Sequence, residues 1–148
     1  MKVINIYGLV FVAVIMIPNI VFAIKCKDGF ENTGIKKPIE TAEQIGRFGC
    51  FGFMVFNIPH TCFGWLFDGA FVWYLSVNAV LIATYCIIWI VCFKNNSRFR
   101  AIALSVIPSA VFLFGGAVTR SVLLTISALI FAPCHIYISC KNAQSLSE

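Results

Sequence analysis

The sequence predicts an all-α fold: a polytopic integral membrane helical bundle with five transmembrane helices. Three observations lead there. The 148 residues are 60% hydrophobic and only 11% charged, against about 45–50% and about 25% in a soluble domain. The mean hydropathy is +0.92. Uncharged runs recur at roughly the 20-residue length that carries a helix across about 30 Å of hydrocarbon. Eleven basic and six acidic side chains cannot keep so much Ile, Val and Phe dispersed in water, so the solvent is lipid.

The first predicted span covers about residues 3–24, and Asn5 and Asn19 are its strongly polar side chains. The second covers about 45–67, with Asn57, His60 and Thr61 as interruptions, and the third about 70–93. From Ala101 to Cys140 there is one charge, Arg120. As a single helix this stretch would measure about 60 Å, twice the hydrocarbon thickness, so it must fold back. Gly115 and Gly116 offer backbone freedom for a turn, and Thr119 and Ser121 can cap the next helix. Two further spans result, about 99–116 and 119–140. The alternative is four spans plus a re-entrant segment, with Gly115-Gly116-Ala117 inside a broken helix. A single transmembrane domain covers 1–148, with an inner loop over 25–43 and a polar tail over 141–148.

Orientation follows the basic residues, because Lys and Arg in short loops stay on the cytoplasmic side. Lys25, Lys27, Lys36, Lys37, Arg47, Lys94, Arg98, Arg100 and Lys141 fall on one side, and only Lys2 and Arg120 on the other. The expectation is a multi-pass cell-membrane protein with its N-terminus outside and its C-terminus cytoplasmic. Trp65, Phe67, Phe71, Trp73 and Tyr74 around the second-to-third turn suit an interfacial belt. Lys2, the apolar run and Val21-Phe22-Ala23 have some features of a cleavable signal peptide. Cleavage after Ala23 would put four lysines outside, against the charge bias, so an uncleaved span is expected.

The inner loop mixes lysines with Asp28, Glu31, Glu40 and Glu43 and is nearly neutral. Its second half reads as a helix start, with Pro38 at the first helical position and Glu40 and Glu43 in the early turns, favouring the positive end of the dipole. Glu43 and Arg47 are four apart and can pair across one turn at the interface. Pro18, Pro59, Pro108 and Pro133 fall inside four spans, where each removes an internal hydrogen bond. Small residues suited to close helix packing are Gly46, Gly49, Cys50 and Gly52, and Ala101, Ser105 and Ser109 at four-residue spacing.

Polar residues placed in lipid are functional candidates by default, and here they are His60, His135, Asn57, Asn78, Asp68 and Arg120. A Cys2His2 zinc site built on Pro59-His60-Thr61-Cys62 and Pro133-Cys134-His135 needs all four ligands around one ion. Helix rise puts the two histidines about 12 Å apart in depth, so separate structural histidines are expected and no metal. A Cys–His nucleophile fails too, since His60 and Cys62, or Cys134 and His135, point apart on a helix. Asp68 can cap the third helix, and Asp68 and Arg120 can meet at the outer surface. A sharper reading turns Arg120 inward as a partner for an anion.

Seven cysteines show no Cys-x-x-Cys spacing, and several fall near the reducing inner face. No motif asks for a cofactor, and the +5 charge suits an anionic leaflet without nucleic acid. Ile, Phe, Lys and Asn are abundant, as in a bacterial chain from an AT-rich genome. The expected function is that of a subunit or scaffold acting through helix–helix contacts with a membrane-protein partner. The alternative is a passive small-solute or ion carrier or channel as a homo-oligomer. An enzyme is not expected.

Overall fold

A computed structural model describes residues 3–26, 34–95 and 97–145. It is all-helical, with α1 (Ile6–Lys25), α2 (Lys37–Val55), α3 (Ala70–Val91), α4 (Arg98–Val118) and α5 (Val122–Ser145). Four of the five, α1, α3, α4 and α5, are long and apolar enough to cross a membrane. The chain is therefore a helical membrane protein by length and composition. Among the described residues the only strand-like pairing is two isolated antiparallel bridges, Ile4 with Phe56 and Cys62 with Ser121.

Four of the five helix starts have a local cause in a side chain. The Asn5 side chain accepts from the Gly8 amide at 3.1 Å. Ser97 accepts from the Arg100 amide at 3.2 Å. Ser121 accepts from the Leu124 amide at 3.4 Å, just ahead of α5. Each removes one of the orphan donors at a helix N-terminus. Pro38 opens α2 with Glu40 in its first turn, as the inner-loop reading expects.

α2 departs from the predicted second span. It begins at Lys37, close to the helix start expected at Pro38, but it ends at Val55, well short of the expected limit of about 67. Residues 56–69 turn instead. The Phe56 amide closes onto the Gly52 carbonyl, and Asn57 N–H donates to Val3 O at 2.7 Å. Pro59 sits in a turn with His60 at φ 67°, and Gly64 and Gly69 also take left-handed backbone. Pro59 thus lies outside any helix, whereas Pro18, Pro108 and Pro133 lie within α1, α4 and α5. Counting apolar residues detects the length of this run but not the Asn-Ile-Pro-His turn within it.

α4 and α5 form two continuous helices joined by a hairpin at 119–121, without a re-entrant break. Gly115 and Gly116 are helical and buried, so they do not make the turn. Arg120, at φ 50°, does. Gly116 serves close packing: a Cβ there would lie 2.7 Å from Thr125 Oγ1 and 3.0 Å from Thr125 N. α5 starts at Val122 rather than 119 and continues to Ser145, so the start of the expected tail is helical. Residues 1–2, 27–33, 96 and 146–148 lie outside the described residues.

Successive helices reverse direction. Lys25, Lys36, Lys37, Lys94, Arg98, Arg100 and Lys141 consequently collect at one end, and Asp68 and Arg120 at the other. At the basic end Lys141 Nζ donates to Gly34 O at 2.7 Å. At the opposite end the 61–66 segment lies along the α4–α5 hairpin, through Val122 N–H to Thr61 O (2.9 Å) and Leu66 N–H to Val118 O (3.0 Å). The core holds Cys50, Met54, Tyr74, Tyr85, Val111, Phe112, Leu124 and Phe131. α1 joins it through Asn5 Nδ2 to Tyr74 Oη (3.1 Å) and Tyr85 Oη to Asn19 Oδ1 (3.1 Å).

Candidate functional site

α2 and α5 run antiparallel in close contact, and small residues bring them together. A Cβ on Gly46 would lie 2.7 Å from the Phe131 amide nitrogen, and one on Gly49 would lie 2.4 Å from Ser127 Oγ. Gly52 meets nothing within 4 Å. Along the same line toward the basic end, Gly46 opposite Phe131 gives way to Glu43 opposite His135.

There a buried ionic cluster forms. Glu43 is 2% exposed. Its Oε1 accepts from Arg47 Nε at 3.1 Å and from Arg47 Nη2, and it lies 2.8 Å from His135 Nδ1. The His135 ring stacks on Phe131, with centroids 4.6 Å apart and planes at 21°. Burial by itself would raise the Glu43 carboxyl, but the His135 hydrogen bond and the Arg47 charge outweigh it and hold the group below its usual range. The carboxylate is therefore the anionic hub between two helices, with Arg47 as counter-charge and His135 as the crossing partner.

The other sequence candidates lie elsewhere. His60 is exposed in the turn after α2, so it neither faces a neighbouring helix nor approaches His135. Asn57 is buried in that turn, with Cys62 Sγ 3.8 Å from its Oδ1. Asn78 is fully buried in α3, and its Nδ2 donates to Tyr74 O at 2.8 Å. Asp68 does not cap α3: the cap position is Gly69, without a side-chain hydrogen bond. Nor does Asp68 pair with Arg120. Among the described residues the ion pairs are those of Glu43, and the exposed Arg120 guanidinium lies 5.8 Å from the Phe63 ring centroid rather than turning inward. On α4, Ser105 and Ser109 are buried and Ala101 is half-buried. Ser109 Oγ donates to Ser105 O at 2.8 Å, and Ser105 Oγ to Ile102 O at 2.9 Å.

What sequence reasoning missed is the burial of Glu43 and its contact with His135. The place of Glu43 in an early helical turn and its four-residue spacing to Arg47 are legible, but a span entering lipid at about residue 45 leaves Glu43 at the interface, with nothing to mark His135 as its partner. With α2 starting at Lys37, Glu43 lies nearly two turns in and meets α5. Among the described residues no group of three or more His, Cys, Asp or Glu side chains is placed to hold a metal ion. No protein-family model matches the chain, and comparison with curated proteins and with solved structures finds no match.

Proposed function

We propose that this chain works by lateral association in a membrane, as a subunit or scaffold whose helices dock against another membrane protein. The observation that carries the reading is the dispersal of its polar side chains over separate levels and directions. Glu43 and His135 join α2 to α5 in the half nearer the basic end, Asn78 lies inside α3, and Asn57, His60 and Arg120 belong to the opposite end. A solute pathway needs polar groups that converge on one line. Docking needs apolar surface left uncovered, and here only 22% of the apolar window of α1 and 28% of that of α3 is buried, against 50% for α4.

The same reading puts the basic end in the cytoplasm, following the gathering of lysine and arginine there. The N-terminus is then outside and the C-terminus inside.

The test combines native mass spectrometry of the protein gently extracted from its own membrane with flux assays in proteoliposomes. The expected result is a stable complex with a different membrane protein, crosslinked from the exposed positions Val10 or Val80, and no solute or ion flux from the purified chain. Homo-oligomers in multiples of 16.4 kDa that carry flux would overturn it in favour of a passive carrier or channel.

A further inference from the structure

An open apolar groove of about 460 Å³ lies between α1 and α3 at the basic end. Ile17, Pro18 and Val21 line it from α1, and Cys86, Trp89 and Phe93 from α3 and its end. Among the described residues no carboxylate lines it, and the one charged lining residue is Lys25, whose Nζ sits 5.7 Å from the Phe93 ring centroid. We propose that this groove holds one acyl chain of an anionic phospholipid, with the lipid phosphate at Lys25.

Length and charge select this occupant. From Lys25 back to Val14, the last α1 residue lining the groove, the helix rises about 17 Å. That is roughly half of the ~30 Å hydrocarbon core, the depth of a single leaflet. A docked transmembrane helix would use the whole length of α1 and α3. The groove opens beside the connection that carries exposed Lys94 and Arg98. Arg100 holds the wall of this mouth in place: its Nη1 donates to Cys92 O and Phe93 O at 3.2 and 3.1 Å, and its guanidinium covers the Phe22 and Trp89 rings. An apolar slot one leaflet deep, ending in cations and with no acid among the described residues of its wall, matches an acyl chain under an anionic headgroup.

This site is independent of the association reading, because it is measured on the isolated chain. Delipidated protein in detergent is titrated with phosphatidylglycerol and with phosphatidylcholine of the same acyl chains, and bound lipid is counted by native mass spectrometry. Phosphatidylglycerol should bind about fivefold more tightly, the factor expected of one lysine at an anionic headgroup. Lys25→Gln should bring the two lipids level. Val21→Trp, which fills the groove, should lower the binding of both, while Val80→Trp, outside the groove on an exposed face of α3, should change neither. Ile17→Phe serves as a second groove-filling variant if Val21→Trp does not fold. Equal affinity for the two lipids in the parent chain, undiminished binding in a folded groove-filled variant, or displacement of the lipid by inorganic phosphate would each overturn the proposal.

Discussion

Glu43 Oε1 and His135 Nδ1 stand 2.8 Å apart across the α2–α5 contact, although 92 residues separate them in the chain. The pair explains how the least apolar helix is held against a helix fit to span lipid. A buried carboxylate is tolerable only when its charge is answered and its lone pairs are used. Arg47 answers the charge within one turn, and His135 ties it to α5.

Removing the hub should therefore cost more than removing the crossing partner. Glu43→Gln is expected to lower bundle stability by about 2 kcal/mol, below the full cost of breaking a buried pair because the Arg47 side chain is 37% exposed and can reach solvent or headgroups. His135→Phe should cost about 1 kcal/mol, one net hydrogen bond. Thermal unfolding in detergent, followed by circular dichroism on the two single variants and the double variant, checks this. Additive effects would mean that the contact contributes nothing of its own.

The same hub gives an acid limb. The Glu43 carboxyl is held below its ordinary value of 4.5, so its folded pKa is the lower of the two. Its stabilisation is fully present above that ordinary value and is lost as pH falls through the folded value. The melting temperature of the parent chain should drop as pH is taken below about 4.5, and the slope should flatten in Glu43→Gln. Equal slopes in the two proteins would show that other carboxylates set the acid limit.

The glycines make a sharper comparison, because one helix contains both a crowded and an open position. A Cβ on Gly46 meets the Phe131 backbone, which cannot step aside as a flexible side chain would, and one on Gly52 meets nothing. Gly46→Ala should push α2 off α5 and destabilise by about 1–3 kcal/mol. Gly52→Ala should be neutral, or stabilise by up to about 1 kcal/mol through helix propensity. Parallel melts of the two variants decide, and equal effects would mean that α2 does not lie on α5 in this register.

How much of this is legible in the sequence depends on the kind of signal. α1 and α3 lie close to their predicted limits because long, uncharged apolar runs leave little choice of structure, Pro18 within α1 notwithstanding. The α4–α5 hairpin is legible from length alone, since one helix would overshoot the bilayer. The start of α2 is legible too, but its end at Val55 and the burial of Glu43 are not, because apolar counting misses the 56–61 turn and the contact with His135, far away in sequence. Gly115 and Gly116 are visible as small residues, but whether a glycine serves a turn or a close approach is decided by its neighbour, here Thr125 for Gly116. His135 meets Glu43 across the two helices, and nothing in the sequence links the two, since Glu43 reads as belonging to the helix start outside lipid.

Asp68 and Arg120 belong to the same end of the bundle and yet do not pair. Asp68 is exposed, and Arg120 lies over Phe63. The effects of Asp68→Asn and Arg120→Gln should add within about 0.5 kcal/mol in a double-mutant cycle, as for sites without a shared partner. A larger coupling would mean that the two side chains meet in the membrane-embedded protein.

Asn78 separates the two functional readings. It is fully buried in α3, its Nδ2 donates to Tyr74 O, and its Oδ1 has no hydrogen-bond partner among the described residues. If the chain is a docking subunit, that acceptor is simply a cost of burial. Asn78→Leu then replaces it with an apolar group of similar size and should raise the melting temperature, by the equivalent of about 1 kcal/mol, with assembly unchanged. If the chain is a carrier, the same oxygen is a station on the path. Asn78→Leu would then cut proteoliposome flux while leaving the fold intact, and a loss of flux in a folded variant would shift the functional assignment from association to transport.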